Sequence, residues 1–540
     1  MAVLKQAGEA APPTAHMYEM PLDKKNDVYD SDALWVELKQ FVHYLTPPTI
    51  SYALDTGVEI VCLLNIAKLG EHDLAAAGLA FMLSNMTGHA VYTGFSTALG
   101  TLAAQAYGAQ KYTLVGHILQ QSMLVVVMFL PCIALLWLFA GQLFELAGVA
   151  PSIAQTAGRF ITLQILSLPP MALMQLLKVW LEAQGILRPI TSVSIVVLLL
   201  TILFSFLFID RDLLGLGVYG APVAVFFAYT LGDVAFLGYI WWSGVYRQTW
   251  TGFSSRVMVG FGAFATLSIM GAGMVCLEWW SYEVLGVVGS AVSEQATAVQ
   301  TVLINFAYFM YALPEGIAIA AGARVGNALG AGDAVSAKRA AFIAISLALA
   351  SALITVLPIA FSNGMWAGYF LREVASVELV AACSPPLVLF LILNSGYGAL
   401  SGILLGSGKQ QVGFMANLVA CYLLGIPLGL LLAFPLKMGI LGLWWGQVSG
   451  VGLLFFGLAV YLSGLDWDKL AVEIAAKAQE GDEELSEREA AALALIEASL
   501  DHTDQAERGA TRGAAEVEMA VVHEKPSAPA TSNVGLSKRQ

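Results

Sequence analysis

Charge is what this sequence has least of: charged residues fill 12% of its 540 positions, against 58% for hydrophobic ones. That balance excludes an ordinary soluble domain, in which about a quarter of residues are charged. A mean hydropathy of +0.73 points to lipid as the solvent. Cysteine is scarce too. Cys62, Cys132, Cys276, Cys383 and Cys421 lie inside or at the edges of apolar runs, where they act as small apolar residues and indicate no disulfide framework. No Walker A motif and no metal-ligand cluster is present, which argues against ATP-driven transport, against an enzyme, and against a cofactor or bound metal. The N-terminal tail has no apolar core of its own and is not expected to be a cleavable signal.

Long apolar runs, by contrast, are abundant. Runs of about 20 residues, the length that crosses roughly 30 Å of hydrocarbon, recur twelve times. The expected fold is an all-α integral membrane protein of twelve transmembrane helices, in two pseudo-symmetric six-helix lobes around a central cavity. Its parts are a cytosolic tail (1–37), a first lobe (38–243), a cytosolic linker (244–256), a second lobe (257–463) and an acidic, largely disordered cytosolic tail (464–540). The fourth span is expected over 153–177. An amphipathic helical stretch opens the last tail around Leu470 to Leu500. The net charge of −13 belongs to the tails: residues 1–38 hold three basic and seven acidic residues, residues 464–540 eight and sixteen. The membrane portion is nearly neutral, which leaves no basic surface for nucleic acid. With even loops cytosolic, Lys111, Lys178, Arg188, Arg247, Arg256, Arg324, Lys338, Arg339 and Lys409 stand against Lys68, Arg159, Arg211, Arg372 and Lys437. Nine against five favours cytosolic termini.

The two lobes carry a repeat. GFSTALGTLAAQAYGA at Gly94 to Ala109 aligns without gaps on GIAIAAGARVGNALGA at Gly316 to Ala331, with six identities in sixteen at an offset of 222 residues. A six-span unit returns the chain to its starting side, so the halves are parallel repeats about an axis along the membrane normal. One duplicated chain forms its own cavity, so a monomer is expected.

LAAQAYGA, ARVGNALGAG, CLEWWSYE at Cys276 to Glu283 and GILLGSGKQ at Gly402 to Gln410 resemble the multidrug and toxic compound extrusion (MATE) family, eukaryotic type, over roughly residues 40–462. The resemblance implies an antiporter that exports organic cations, drugs or secondary metabolites on a cation gradient, in the plasma membrane or a vacuolar or vesicular one. A Na⁺-coupled or anion-exporting carrier of the same family, a channel and a lipid-type flippase are the alternatives. A channel filter motif, a major-facilitator basic loop and a flippase's basic cavity residues are all missing.

Ionisable groups within spans carry the chemistry, because a charge at mid-bilayer costs from about 2.5 kcal/mol upward. In the seventh span Glu278 and Glu283 stand about 140° apart around the helix, with Glu283 about 7.5 Å further out. Glu278, on a face with Ser281 and Tyr282, is the expected primary site. The resemblance places both glutamates in the cation and proton pathway; either also suits a hydrogen bond to a neighbouring helix. Low dielectric favours a neutral carboxyl group. Protonation therefore discharges the site and releases a cationic substrate, and deprotonation recruits the next. Trp279, Trp280 and Tyr282 offer cation–π faces or simple packing.

Three positions depart from the family pattern: Asn394 stands where a second carboxylate is usual, Gln300 where some members have glutamate, and Gly100 where an acidic residue of the plant-like LETL motif is common. Glu315, after Pro314, either replaces the missing acid or bonds backbone freed by the proline. Asp55 and Glu59, at i and i+4 just after Pro47-Pro48, form an alternative proton or Na⁺ site in which one acid holds a proton. Asn85 and Asp233 are its expected neighbours, or interhelical glue.

Overall fold

A computed structural model of the chain describes residues 28–487, apart from positions 211, 212, 251, 254, 363, 370 and 372. Among the described residues there is no strand, and twelve helices are long and apolar enough to cross a membrane. In chain order α1 is Ser31–Leu69, α2 Glu71–Gly108, α3 Tyr112–Leu138, α4 Pro151–Ala183, α5 Arg188–Ile209 and α6 Gly217–Ser243. The second half repeats the series with α7 Phe261–Gly289, α8 Gln295–Gly330, α9 Ala334–Ser362, α10 Val374–Gly406, α11 Gln410–Ala433 and α12 Ile440–Ser463. Twelve crossings return the chain to its first side, here termed the tail face.

Helices fit because a chain in hydrocarbon must satisfy its backbone polar groups within each segment. Several run past the apolar stretch that announced them. The first begins at Ser31, where the Asp30 side chain accepts the Asp32 N–H at 3.4 Å. The fourth continues past 177 to Ala183, and so carries Lys178 and Glu182 into the interior. Lys178 is therefore not a loop cation as the charge count assumed, and neither is Arg324, which lies within α8 paired to Glu37. Regular winding breaks in the interior of three of these helices. A π segment, Asn85–His89, interrupts α2; a 3₁₀ turn, Ile165–Ser167, precedes Pro169 and Pro170 in α4; and a π segment of eight residues, Leu418–Gly425, occupies the middle of α11. Such segments free or shift carbonyls and mark sites where a helix bends.

The repeat of 222 residues reappears in space. A Cβ at Gly108 would overlap the Asn327 carbonyl, and one at Gly330 would overlap the Gln105 carbonyl. Adding 222 to 105 and 108 gives 327 and 330, so the two contacts exchange under the repeat. Higher up, Gly94 of α2 meets the Ala272 backbone of α7, while Gly316 of α8 meets Thr49 and the Leu45 carbonyl of α1. Each half thus seats its first helix on the second helix of the other half. At the tail face α2 and α8 cross in backbone contact, which the small residues of the repeat permit. Thr101 Oγ1 donates to the Leu405 carbonyl at 2.8 Å and Gln105 Nε2 to the Gly406 carbonyl at 2.9 Å, tying α2 to the end of α10.

The linker between halves is anchored, not loose. Gln120 Nε2 donates to the Gly252 carbonyl at 2.8 Å and Gln121 Nε2 to the Val259 carbonyl at 2.6 Å, both from α3. Beyond α12 a further helix, α13, spans residues 467–487. Leu470, Ala471, Ile474 and Ala478 are buried along it, so the opening of the tail expected to be largely disordered is packed against the protein. Residues 1–27 and 488–540, for which tails were expected, lie outside the described residues.

Candidate functional site

Glu278 lies in the middle of α7, and its position follows from the fold: α7 packs on α2, on α8 and on the first turns of α11. Its carboxylate accepts from the Tyr397 hydroxyl of α10 at 2.8 Å, and Asn417 Nδ2 donates to the same hydroxyl oxygen at 3.1 Å. Glu278, Tyr397 and Asn417 are all buried. Among the described residues no basic side chain forms an ion pair with Glu278, so a negative charge there is met by neutral donors alone. Asn417 closes the regular turns of α11, and the eight-residue π segment starts at the next residue. Glu315 of α8 is hydrogen-bonded to Tyr311 and lies within electrostatic reach of Glu278. The acid considered as a replacement for the one missing at Asn394 thus lies on a neighbouring helix within electrostatic reach of the primary glutamate.

Asn394 takes part through Tyr282, whose hydroxyl donates to its Oδ1 at 3.2 Å. Glu283 is hydrogen-bonded to Tyr308. The rings of Tyr282, Tyr308, Phe390 and Trp444 meet edge to face at 5.5 to 6.4 Å, and Trp444 Nε1 donates to Gln300 Oε1 at 3.0 Å. Gln300 closes this chain about 22 Å along α8 from Glu315, at the 1.5 Å rise of a helix, and is no part of the Glu278 network. Trp279 turns to the first half, 5.4 Å from the His89 ring, and Trp280 Nε1 donates to the Met86 carbonyl at 2.8 Å. Both indoles pack on α2.

The alternative site in the first half brings Asn85 to Glu59 and adds a lysine to Asp55. Lys178 Nζ donates to Asp55 Oδ2 at 2.6 Å, and Asn85 Nδ2 to Glu59 Oε2 at 2.9 Å. The repulsion expected between Asp55 and Glu59 is relieved because each acid has its own donor on another helix. Asp233 is buried within reach of Lys178, with its Oδ1 unpartnered among the described residues. Glu182, buried on α4, is electrostatically coupled to Lys178, Asp55 and Glu315. Tyr52 of α1 lies within electrostatic reach of Asp55, Glu278 and Glu315.

Lys178, Glu182, Tyr397 and Asn417 escaped the sequence reading. The first two carried a signal, an i, i+4 charge pair in LKVWLEA continuing the apolar pattern past its assumed end. Tyr397, inside SGYGAL, and Asn417 carried none, since a tyrosine or asparagine in a span is commonplace.

A family model described as MatE matches residues 47–207 and again 272–431, once in each half. An uncharacterized transporter of Schizosaccharomyces pombe is 32% identical over 450 residues, 83% of this chain and 83% of its own. Multidrug and toxin extrusion protein 1 of Xenopus tropicalis is 31% identical, over 83% of this chain and 78% of its own. The crystal structure of the eukaryotic MATE transporter AtDTX14 superposes with a TM-score of 0.79 at 28% identity, covering 83% of this chain and all of that one.

Proposed function

Because the chain belongs to the MatE family of multidrug and toxin extrusion transporters, we propose that it is a secondary antiporter that exports organic cations, drugs or secondary metabolites in exchange for protons, with Glu278 as the exchange site. The observation that carries the reading is a buried carboxylate that accepts from a tyrosine hydroxyl, itself held by the Asn417 amide, with no basic side chain paired to it among the described residues. A counter-charge must arrive from outside, as a proton or as substrate, and one carboxylate cannot serve both at once. That exclusion couples the fluxes. Tyr397 holds the carboxylate in place and Asn417 holds Tyr397; Glu315 and Tyr282 with Asn394 extend the polar surface around it.

Both termini are taken as cytosolic. Without Lys178 and Arg324 the positive residues still favour that side, seven against five. The protein acts as a monomer in the plasma membrane or a vacuolar or vesicular one. The test is uptake of a fluorescent organic cation into proteoliposomes driven by a pH gradient, by a Na⁺ gradient or by neither. Uptake driven by the pH gradient and lost in Glu278→Gln is expected. Uptake that follows only Na⁺, or that survives the substitution, rejects proton exchange at Glu278.

A further inference from the structure

The two turns of the repeat, at Gly108–Lys111 and Gly330–Asp333, lie at the tail face where α2 and α8 cross, and α13 runs over both of them. Its course can be followed residue by residue. Asp468 Oδ2 accepts from Lys338 Nζ at 3.0 Å, at the start of α9 in the second half. One turn further on, Leu470, Ala471 and Ile474 are buried in the core of the protein. Ala475 reaches the turn at Gly332, and Ala475 and Gln479 roof a cleft of about 310 Å³ floored by Gly108, Ala109, Gly330 and Ala331 from both halves. Gly481 then approaches Leu114 of α3, and Asp482 meets Lys111 Nζ at 3.2 Å and the Thr113 hydroxyl at 3.1 Å, all in the first half. The two anchors stand fourteen positions apart, about 21 Å of helix at 1.5 Å per residue.

We propose that residues 467–482 act as a strap across the tail face, with one anchor on each half, and that release of one anchor is a required step whenever this face opens. The contacts beneath it require this. Gly108 and Gly330 sit against backbone carbonyls of the opposite half, so the face is shut, and any opening draws Lys111 away from Lys338. A helix is too stiff to stretch, so it must let go at one end. The buried apolar residues favour retention on the Lys338 side, where Leu470, Ala471 and Ile474 lie. The Lys111 and Thr113 end, where the helix contributes Ala478 and the polar contacts of Asp482 in place of three buried side chains, is the end that swings. Such a strap biases the resting population toward the closed tail face by its differential contacts with the two states. The inference rests on a transport cycle of opposed halves and is independent of the ion that drives it.

The test tethers the anchors in the full chain reconstituted in proteoliposomes, with Cys132→Ser removing the exposed cysteine. Lys338→Cys with Asp468→Cys creates one tether site and Lys111→Cys with Asp482→Cys the other, each closed by a short bis-methanethiosulfonate crosslinker that reductant cleaves. The tether at Lys338 alone is expected to leave cation uptake running and the tether at Lys111 alone to slow it; both together are expected to abolish it, with recovery on reduction showing that the protein stayed folded. Uptake that persists with both tethers closed, or that already stops with the tether at Lys338, overturns the proposal. A second readout needs no transport: maleimide labelling of Ala104→Cys, buried between the halves, from the tail side. Lys111→Asp with Lys338→Asp should raise labelling several-fold, and adding Asp468→Lys with Asp482→Lys should return it to the starting level. Labelling unmoved by the first pair contradicts the strap.

Discussion

Lys178 and Asp55 offer the sharpest quantitative check, because two kinds of substitution give opposite results there. The lysine side chain is 8% accessible and the aspartate 28%, with 2.6 Å between the charged atoms. Removing one partner of a fully buried ion pair costs about 3–5 kcal/mol, since the other charge is left without compensation. The residual exposure of Asp55 lets water share its charge, so about 2–3 kcal/mol is expected for Lys178→Met. Asp55→Asn strands the more deeply buried ammonium and should cost at least as much. Replacing both removes the pair while Glu182 and Asp233 still lose their nearby ammonium, so the double variant should recover most, not all, of the larger single loss, a coupling energy far outside additivity. The assay is reversible unfolding of the purified protein in mixed micelles, run on all four corners of the cycle. Single losses that simply add would show that the pair is not an ion pair in the folded protein. Transport adds a second dimension. With exchange located at Glu278, the double variant should keep its gradient-driven uptake; stability restored but uptake lost would move the coupling acid to Asp55.

Three further outcomes follow from the geometry. Tyr397→Phe deletes the hydroxyl that bonds Glu278, and a charge-assisted hydrogen bond contributes about 1.5–3 kcal/mol; the KM for an organic cation should change by tenfold or more while expression and elution stay normal, and an unchanged KM would remove Tyr397 from the site. Arg324→Gln leaves Glu37 buried without its bidentate partner at 2.7 and 2.9 Å, and should cost about 3 kcal/mol in unfolding measurements, most of it recovered by adding Glu37→Gln. Gly108→Leu forces a side chain into the Asn327 carbonyl, so the tail face cannot close; uptake should vanish in a protein that remains monodisperse, and normal uptake would show that this crossing does not seal the face.

How much of this was legible beforehand differs from element to element. Twelve helices could be read because lipid imposes length and apolarity on each one, and the repeat could be read because its small residues are needed where α2 and α8 touch. Glu278 stood out because a carboxylate inside an apolar run is costly to keep. The partners were not legible. Whether Asp55 repels Glu59 or pairs with Lys178 depends on how far α4 extends and which way it faces, and the apolar run ended at about 177 only because Lys178 itself ended it. Tyr397 and Asn417 look like ordinary helix residues until α10 and α11 are packed against α7. The strap helix showed its amphipathic pattern, but an apolar stripe does not name the surface it covers.

The central claim, that proton and organic cation compete for Glu278, is tested most directly without a membrane, by adding the cation to purified protein in weak buffer and following pH with an indicator dye. Proton release that saturates with cation binding, and is absent in Glu278→Gln, is the expected result. Binding without release in the parent protein, or release that persists in Glu278→Gln, would contradict it.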